Sequence, residues 1–279
     1  WTLTALPLFV WMGEILFRTK LSENLFEGLA PWLQKLPGGL IHVNVVGCAL
    51  FAAISGSSAA TVATVGKMSI PELRKRKYPE KILLGSLAGS GTLGLLIPPS
   101  IILIIYGVTV QESIAKLFIA GIIPGIMIAL IFMGYVIVWS LLNKNKMPTN
   151  YENFSFLNKL GKSKQLIPVI LLILGVIGSI YTGIATATEA ASLGVVGALI
   201  LSYFQKSLTL KTFKDSLLGA TKTSCMIAFI LAGATFLSLA MGFTGLPRNL
   251  ALWIQNMELS PYVLIFVLMI FYIILGMFL

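Results

Sequence analysis

The feature that most constrains this chain is a series of apolar runs long enough to cross a lipid bilayer. Residues 114–142 form one such run, and Lys116 is its single charged side chain. About 20 apolar residues in a helix span the hydrocarbon core of a membrane. Hydrophobic residues make up 57% of the chain and charged residues 11%, whereas a soluble domain has about 25% charged residues. The sequence therefore predicts an all-α polytopic membrane protein.

The order of the apolar runs divides the chain into consecutive parts. These are a first span with an amphipathic interfacial arm (1–35), a re-entrant hairpin (36–66), a broken span (82–106), connecting spans (114–216) and the start of a second repeat (217–279). The hairpin is predicted because 36–66 is too long for one span and too short for two with a turn. Both ends of the sequence lie in apolar runs, so we expect a chain truncated at both ends, with the second repeat stopping at its own hairpin.

Positive charge lies almost entirely on one side of this arrangement. With a hairpin at 36–66, all but two of the 20 Lys and Arg residues face the same side, and the exceptions are Lys116 and Arg248. The segments that carry this charge are 18–35, 67–81, 143–165 and 205–222. Because cytoplasmic loops are rich in Lys and Arg, we expect these basic loops in the cytoplasm. The same distribution points to a lipid bilayer rather than to nucleic acid as the partner of a chain with net charge +10.

Two stretches of the chain follow the same order of features. Residues 7–56 and 230–279 each contain a span, a short amphipathic segment with a Trp, a Pro and an apolar run that reaches a Gly. The predicted orientation places the two stretches on opposite sides of the membrane. This order predicts an inverted repeat, as in many secondary transporters, with Gly276 as the remnant of a second site.

The run 82–106 contains the stretch SGTLGLLIPPS, which should break a helix at membrane depth. Pro98 and Pro99 have no N–H, so the carbonyls of Gly94 and Leu95 lose their helical partners. An unpaired carbonyl in hydrocarbon costs on the order of several kcal/mol, and a cation can satisfy it. The hairpin tip ISGSS supplies hydroxyl groups as further oxygen ligands. We therefore expect a Na⁺ site made by Ser55, Ser58, Gly94, Leu95, Ile97 and Pro99.

The same hairpin tip is the predicted site of an anionic substrate. A helix that begins at Ala59 would direct its N-terminal N–H groups at a carboxylate. The residues expected to bind the substrate are Ser55, Gly56, Ser57, Ser58 and Thr61.

Each of these interpretations has an alternative. The prolines alone are also typical of a kink repaired by water or by Ser and Thr side chains, and small residues in the hairpin are typical of close helix packing. Glu189 is a candidate functional carboxylate, although Thr186 three residues earlier favours a capping box. Glu14 is expected to pair with Arg18 at helical spacing. The sequence offers no cluster of His, Cys or carboxylates and no nucleophile–base pair, so we do not expect an enzyme.

Several motifs together resemble the large membrane (permease) subunit of TRAP transporters, the tripartite ATP-independent periplasmic transporters. They cover essentially the whole chain and are PLFVWMGEIL, LPGGL, ISGSSAATVATVG, GTLGLLIPPSIILIIYG, ESIAKLFIAGIIPG and GIATATEAAS. The resemblance implies Na⁺-driven import of small organic acids, of the C4-dicarboxylate or sugar-acid type, by an elevator motion in the bacterial inner membrane. It also implies two partners: a periplasmic substrate-binding protein and a small four-helix membrane subunit. The second broken helix of the family, with its TPP sequence, is absent here.

Other functions remain open from the sequence. A related Na⁺/dicarboxylate symporter would work without a binding protein. An intramembrane enzyme would use Glu189, and a structural membrane scaffold would use neither an ion nor a substrate.

Overall fold

The computed structural model describes residues 2–19, 21–148, 155–164 and 166–278, which form helices joined by short connections. The described part of the chain contains no strand. The α-helices are α1 (Ala5–Phe17), α2 (Leu21–Leu33), α3 (Ile41–Ser55), α4 (Ser58–Lys75), α5 (Glu80–Gly91), α6 (Ile101–Thr109), α7 (Ile114–Leu142), α8 (Phe156–Ser163), α9 (Ile167–Tyr181), α10 (Ala187–Phe204), α11 (Leu210–Phe243), α12 (Leu246–Gln255) and α13 (Pro261–Phe278). Short 3₁₀ helices occupy Thr2–Thr4, Thr92–Leu95 and Lys144–Lys146.

Several of these helices are long and apolar enough to cross a membrane. Among the described residues, α7, α10 and α11 meet both criteria, and α1, α3, α9 and α13 are shorter apolar helices. The predicted all-helical, polytopic membrane class is therefore confirmed.

Two predicted basic loops are partly helical. Helix α4 continues past residue 66 to Lys75, inside the segment 67–81, and α11 begins at Leu210, inside the segment 205–222. Lys and Arg have high helix propensity, so a basic composition does not end a helix. Arg74 and Lys75 also lie in the last turn of α4, where positive charge is favourable beside the helix dipole.

The chain divides into two compact units, residues 1–224 and 225–279. In the second unit, the large apolar side chains of α12 and α13 are mostly exposed. In the first unit, α1 packs along α10 and the buried ring of Phe9 meets Phe118 edge-to-face at 6.1 Å. Helix α3 packs against α4 and α5, and Val45, Ala52 and Leu93 form the buried cluster between them and the break.

The segment 18–35, which we predict to be an amphipathic interfacial arm, contains helix α2, and this helix is held to α8 at one end. The indole Nε1 of Trp32 donates a hydrogen bond to Ser163 Oγ at 2.7 Å. Lys159 Nζ lies 5.4 Å from the centre of the Trp32 ring, and Phe156 meets the same ring edge-on. The Glu14–Arg18 pair predicted at the end of α1 is confirmed, with 3.0 Å between Oε2 and the guanidinium.

Candidate functional site

The tip between α3 and α4 is a tight turn made by Gly56 and Ser57. Gly56 has a φ of +59°, the left-handed region that favours glycine. A Cβ at this position would lie 2.6 Å from the carbonyl oxygen of Pro99. Ser57 is extended, and its Oγ accepts a hydrogen bond from Ala60 N at 3.4 Å as the N-cap of α4. The tip therefore needs glycine both for its backbone conformation and for its contact with the break.

The hydroxyl groups of the tip bond to the tip itself. Ser55 Oγ lies 2.9 Å from Thr61 Oγ1, and both side chains are buried. Thr61 Oγ1 donates to the carbonyl oxygen of Ser57 at 2.7 Å, and Ser57 N donates to Ser55 Oγ at 3.3 Å. These bonds hold the turn in one conformation. A hydroxyl oxygen has two lone pairs, so Ser55 Oγ and Thr61 Oγ1 can also face a ligand, whereas Ser57 O already accepts from both Thr61 N and Thr61 Oγ1.

The break lies between α5 and α6. Helix α5 ends at Gly91, the chain makes a 3₁₀ turn over Thr92–Leu95, and α6 begins only at Ile101. The peptide bond between Pro98 and Pro99 is cis.

A serine satisfies one of the two carbonyls that the prolines leave without a helical partner. Ser100 Oγ donates to the carbonyl oxygen of Leu95 at 2.6 Å. The same Oγ is the N-cap of α6 and accepts from Leu103 N at 3.5 Å. The repair by a Ser side chain, which the sequence left open as an alternative, therefore occurs at Leu95. A cation at Leu95 would share an oxygen that already accepts a hydrogen bond.

The structure brings the tip and the break into backbone contact. A Cβ at Gly94 would lie 2.9 Å from the carbonyl carbon of Ser57 and 3.0 Å from both Ser57 O and Ser58 N. On the other side of the turn, Ile101 N donates to Gly56 O at 3.2 Å. The tip and the break, which are separated in the sequence by helices α4 and α5, thus meet through main-chain atoms.

The other predicted ion ligands, Ser58, Ile97 and Pro99, differ in whether they lie at the contact between the tip and the break. Pro99 lies at the contact, because its carbonyl oxygen faces Gly56. Ser58 is half-buried at the first turn of α4. The side chain of Ile97 packs on the apolar cluster of Val45, Ala52 and Leu93, so this residue contributes to packing. In the described part of the chain, no group of three or more His, Cys, Asp or Glu side chains could hold a metal ion.

A buried polar contact that the sequence reasoning missed joins α3 to α5. Asn44 Nδ2 donates to Leu83 O at 3.2 Å and to Ser86 Oγ at 3.0 Å. Ser90 Oγ lies 3.4 Å from Asn44 O and donates to Ser86 O at 2.6 Å. Polar residues inside apolar runs are a signal for such contacts, and Asn44 is one of them. The contact ties the first arm of the hairpin to the first half of the broken helix.

Two secondary candidates take no part in this contact. Glu189 accepts hydrogen bonds from Thr186 N and Thr186 Oγ1, both at 2.8 Å, and Glu189 N donates to Thr186 Oγ1 at 3.4 Å. The predicted capping box of α10 is therefore confirmed. Gly276 is helical, inside α13, and a Cβ there would meet nothing within 4 Å in the described residues. The turn expected at this position is not seen.

Comparison with known proteins identifies the family. The sequence matches, over residues 1–279, the family described as "Tripartite ATP-independent periplasmic transporter, DctM component". The chain belongs to this family. The family consists of transporter components, not enzymes, and the predicted resemblance is confirmed.

Relatives of this DctM-family chain are named after different substrates. The C4-dicarboxylate TRAP transporter large permease protein DctM of Pseudomonas aeruginosa is 33% identical over 100% of this chain and 65% of its own length. The sialic acid permease protein SiaM of Vibrio cholerae and the ectoine/5-hydroxyectoine permease protein UehC of Ruegeria pomeroyi are each 33% identical over 99% of this chain and 64% of their own length. The chain thus spans less than two thirds of these relatives. Equal identity to all three shows the kind of subunit and does not select a substrate.

Proposed function

We propose that this chain is part of the large permease subunit of a Na⁺-coupled TRAP transporter that imports small organic acids of the C4-dicarboxylate or sugar-acid type. A periplasmic binding protein delivers the acid, and a small four-helix membrane subunit accompanies the permease in the bacterial inner membrane. The basic loops face the cytoplasm. The names of the relatives support an organic acid or a similar small solute as cargo.

The observation that carries this proposal is the contact of Gly94 with the backbone of Ser57 and Ser58. Irregular backbone at membrane depth is tolerated where it is buried in protein or lines a cavity, and broken helices of transporters bind ions and substrates in this way. Here two irregular segments meet, and both offer carbonyl and hydroxyl oxygens. A site for transported solutes accounts for the meeting of two such segments better than a single proline kink does.

The oxygens at this contact suit Na⁺ as the coupling ion. The proposed ligands are the hydroxyls of Ser55 and Ser58 and main-chain oxygens from Gly94 to Pro99. Hard cations prefer such oxygen ligands, and sulfur or imidazole ligands of transition metals are not part of the set. Each oxygen that already accepts one hydrogen bond, such as Leu95 O, keeps a second lone pair for the ion.

The start of α4 suits the carboxylate of the substrate. Ser57 caps this helix, so the N–H groups of its first turn and the positive end of its dipole lie at the tip. The ion and the substrate would then share the tip, with the ion on the side of the break. In an elevator motion, the hairpin and the broken helix would move together, and the contact between Asn44 and Ser86 supports such coupling.

The test is uptake of labelled succinate and sialic acid in proteoliposomes. It uses the full-length permease, the small membrane subunit and the binding protein, with and without a Na⁺ gradient. We expect uptake that needs both Na⁺ and the binding protein and that falls at least tenfold in Ser58→Ala. Uptake without the binding protein would favour the simpler symporter, and uptake indifferent to Na⁺ would contradict the ion site.

A further inference from the structure

A cavity of about 940 Å³ lies beside α4 in the unit formed by residues 1–224. Its walls come mainly from the end of α1, helix α2 and helix α4, and the lining residues outside these helices include Gln34, Leu40, Lys162 and Ser207. It is separate from the backbone contact between Gly94 and Ser57. Its volume exceeds that of a small organic acid several times over, so it can hold such an acid together with water.

The cavity runs along α4 from Thr64 to the basic end of the helix. Thr64 and Arg76 both line it. With a rise of about 1.5 Å per residue, Thr64 lies roughly 9 Å along the helix from Ser58, and Arg76 lies roughly 18 Å farther on. Thr61, one turn before Thr64, belongs to the hydroxyl network of the tip. The cavity therefore extends from Thr64, roughly 9 Å beyond the start of α4, to the basic end of this helix.

The lining carries more positive than negative charge. Its charged side chains are Arg18, Glu27, Lys67, Glu72, Arg76 and Lys162. Arg18 is paired with Glu14 at 3.0 Å, and Arg76 is paired with Glu72 at 2.9 Å. Lys67 is exposed and forms no ion pair within the described residues. Lys67 is thus a cation in the cavity, one turn beyond Thr64, whose charge no carboxylate offsets at close range.

Two buried polar residues belong to the lining of the cavity. Gln34 and Thr64 line the cavity, and only 2% of each residue is exposed. Thr64 Oγ1 donates to Ala60 O at 2.7 Å and keeps lone pairs that water or a hydrated solute can use and an acyl chain cannot.

We propose that this cavity is the release path of the substrate, along which Lys67 attracts an organic anion from the tip toward the cytoplasm. The inference rests on the proposed function and adds the path and its charged residue. A charged cleft raises the local concentration of counter-ions, so a single unpaired cation beside the path speeds the passage of anions.

The test compares how fast an anionic and a cationic reagent reach the cavity. Met68 lines the cavity beside Lys67, so Met68→Cys introduces a reporter thiol. It is placed in a Cys225→Ser background of the full-length permease without other accessible thiols, since Cys48 is buried. Inside-out vesicles are treated with an anionic or a cationic methanethiosulfonate reagent of similar size. We expect faster reaction with the anionic reagent, and a preference that falls at least threefold in Lys67→Gln. Lys75→Gln is the matched control, because Lys75 lies on the same helix and is not part of the lining.

Transport is measured with the same variants. Lys67→Gln should lower the maximal rate of succinate uptake at least threefold and leave the apparent Na⁺ affinity unchanged. A wild-type protein without uptake contradicts the proposed function. Normal wild-type uptake combined with a labelling preference that ignores Lys67→Gln contradicts the release path alone. Labelling that starts only after detergent has removed the lipid also contradicts the release path, because it would show that lipid occupies the cavity in the membrane.

Discussion

Gly94 lies so close to Ser57 that a Cβ at position 94 would come 2.9 Å from the Ser57 carbonyl carbon. The backbone of Ser57 cannot easily move away, because its carbonyl oxygen accepts hydrogen bonds from Thr61 N at 3.0 Å and Thr61 Oγ1 at 2.7 Å. Only a hydrogen atom fits between the break and the tip. The structure thus leaves no room for a methyl group at position 94 unless the tip or the break moves.

Gly94→Ala should therefore separate the tip from the break and weaken Na⁺ binding. We expect the apparent Na⁺ affinity for uptake to fall about tenfold, equivalent to about 1.4 kcal/mol. The matched control is Gly85→Ala, because Gly85 lies in α5 and a Cβ there meets nothing within 4 Å. Na⁺-dependent uptake in proteoliposomes measures both variants. Equal Na⁺ affinities in the two variants would show that the contact does not shape an ion site.

Gly56→Ala should destabilise the protein more than Gly183→Ala. Both glycines have positive φ, +59° and +72°, so an alanine at either position costs roughly 1–2 kcal/mol of backbone strain. Only Gly56 has a neighbour, Pro99 O, at 2.6 Å from the added Cβ, whereas Gly183 has nothing within 4 Å. Thermal unfolding in detergent micelles should show the larger fall in Tm for Gly56→Ala. Similar falls in Tm for the two variants would mean that the tip can move away from the break without loss of stability.

Ser100→Ala should destabilise the break. The substitution leaves the Leu95 carbonyl without its 2.6 Å hydrogen bond and removes the cap of α6. Loss of a partner costs a fully buried polar group about 1–3 kcal/mol, and we expect a cost at the lower end of this range because the bond to Leu95 O is only partly buried.

The control for this prediction is Ser192→Ala, whose exposed hydroxyl bonds within its own helix to Thr188 O at 3.1 Å. A surface substitution of this kind costs less than about 0.5 kcal/mol. Ser100→Thr keeps the hydroxyl and should restore most of the Tm. Equal Tm values for Ser100→Ala and Ser192→Ala would contradict the prediction and would mean that water replaces the hydrogen bond to the Leu95 carbonyl without loss of stability.

Glu189→Gln should leave transport largely intact. The carboxylate of Glu189 accepts two hydrogen bonds from Thr186, so its role in the structure is that of a cap. We expect a small fall in Tm, matched by Thr186→Ala, and uptake above half of the wild-type rate. Abolished uptake in a folded Glu189→Gln protein, with normal uptake in Thr186→Ala, would instead assign the carboxylate a direct role in transport.

Features that depend on neighbours within one or two helical turns were predictable from the sequence. The capping box at Thr186 and the pair of Glu14 with Arg18 follow from spacings of three and four residues, and both are present. The interruption of the helix near Pro98 also follows from local chemistry, because proline has no N–H. Helix ends in basic segments were less predictable. The sequence placed loops where α4 and α11 continue, since charged residues are good helix formers.

The sequence by itself thus determined the membrane class, the positions of the tip and the break, and the local caps, because each depends on composition or on residues close in the chain. The sequence also predicted that the tip and the break share one site, but only the tertiary structure decided that Gly94 meets the backbone of Ser57, that Asn44 bonds to Ser86 and that α2 and α4 enclose a cavity around Lys67. These contacts join residues on different helices, so they depend on which helix faces pack together. Packing of that kind is set by the shapes of many side chains at once, and no short motif encodes it.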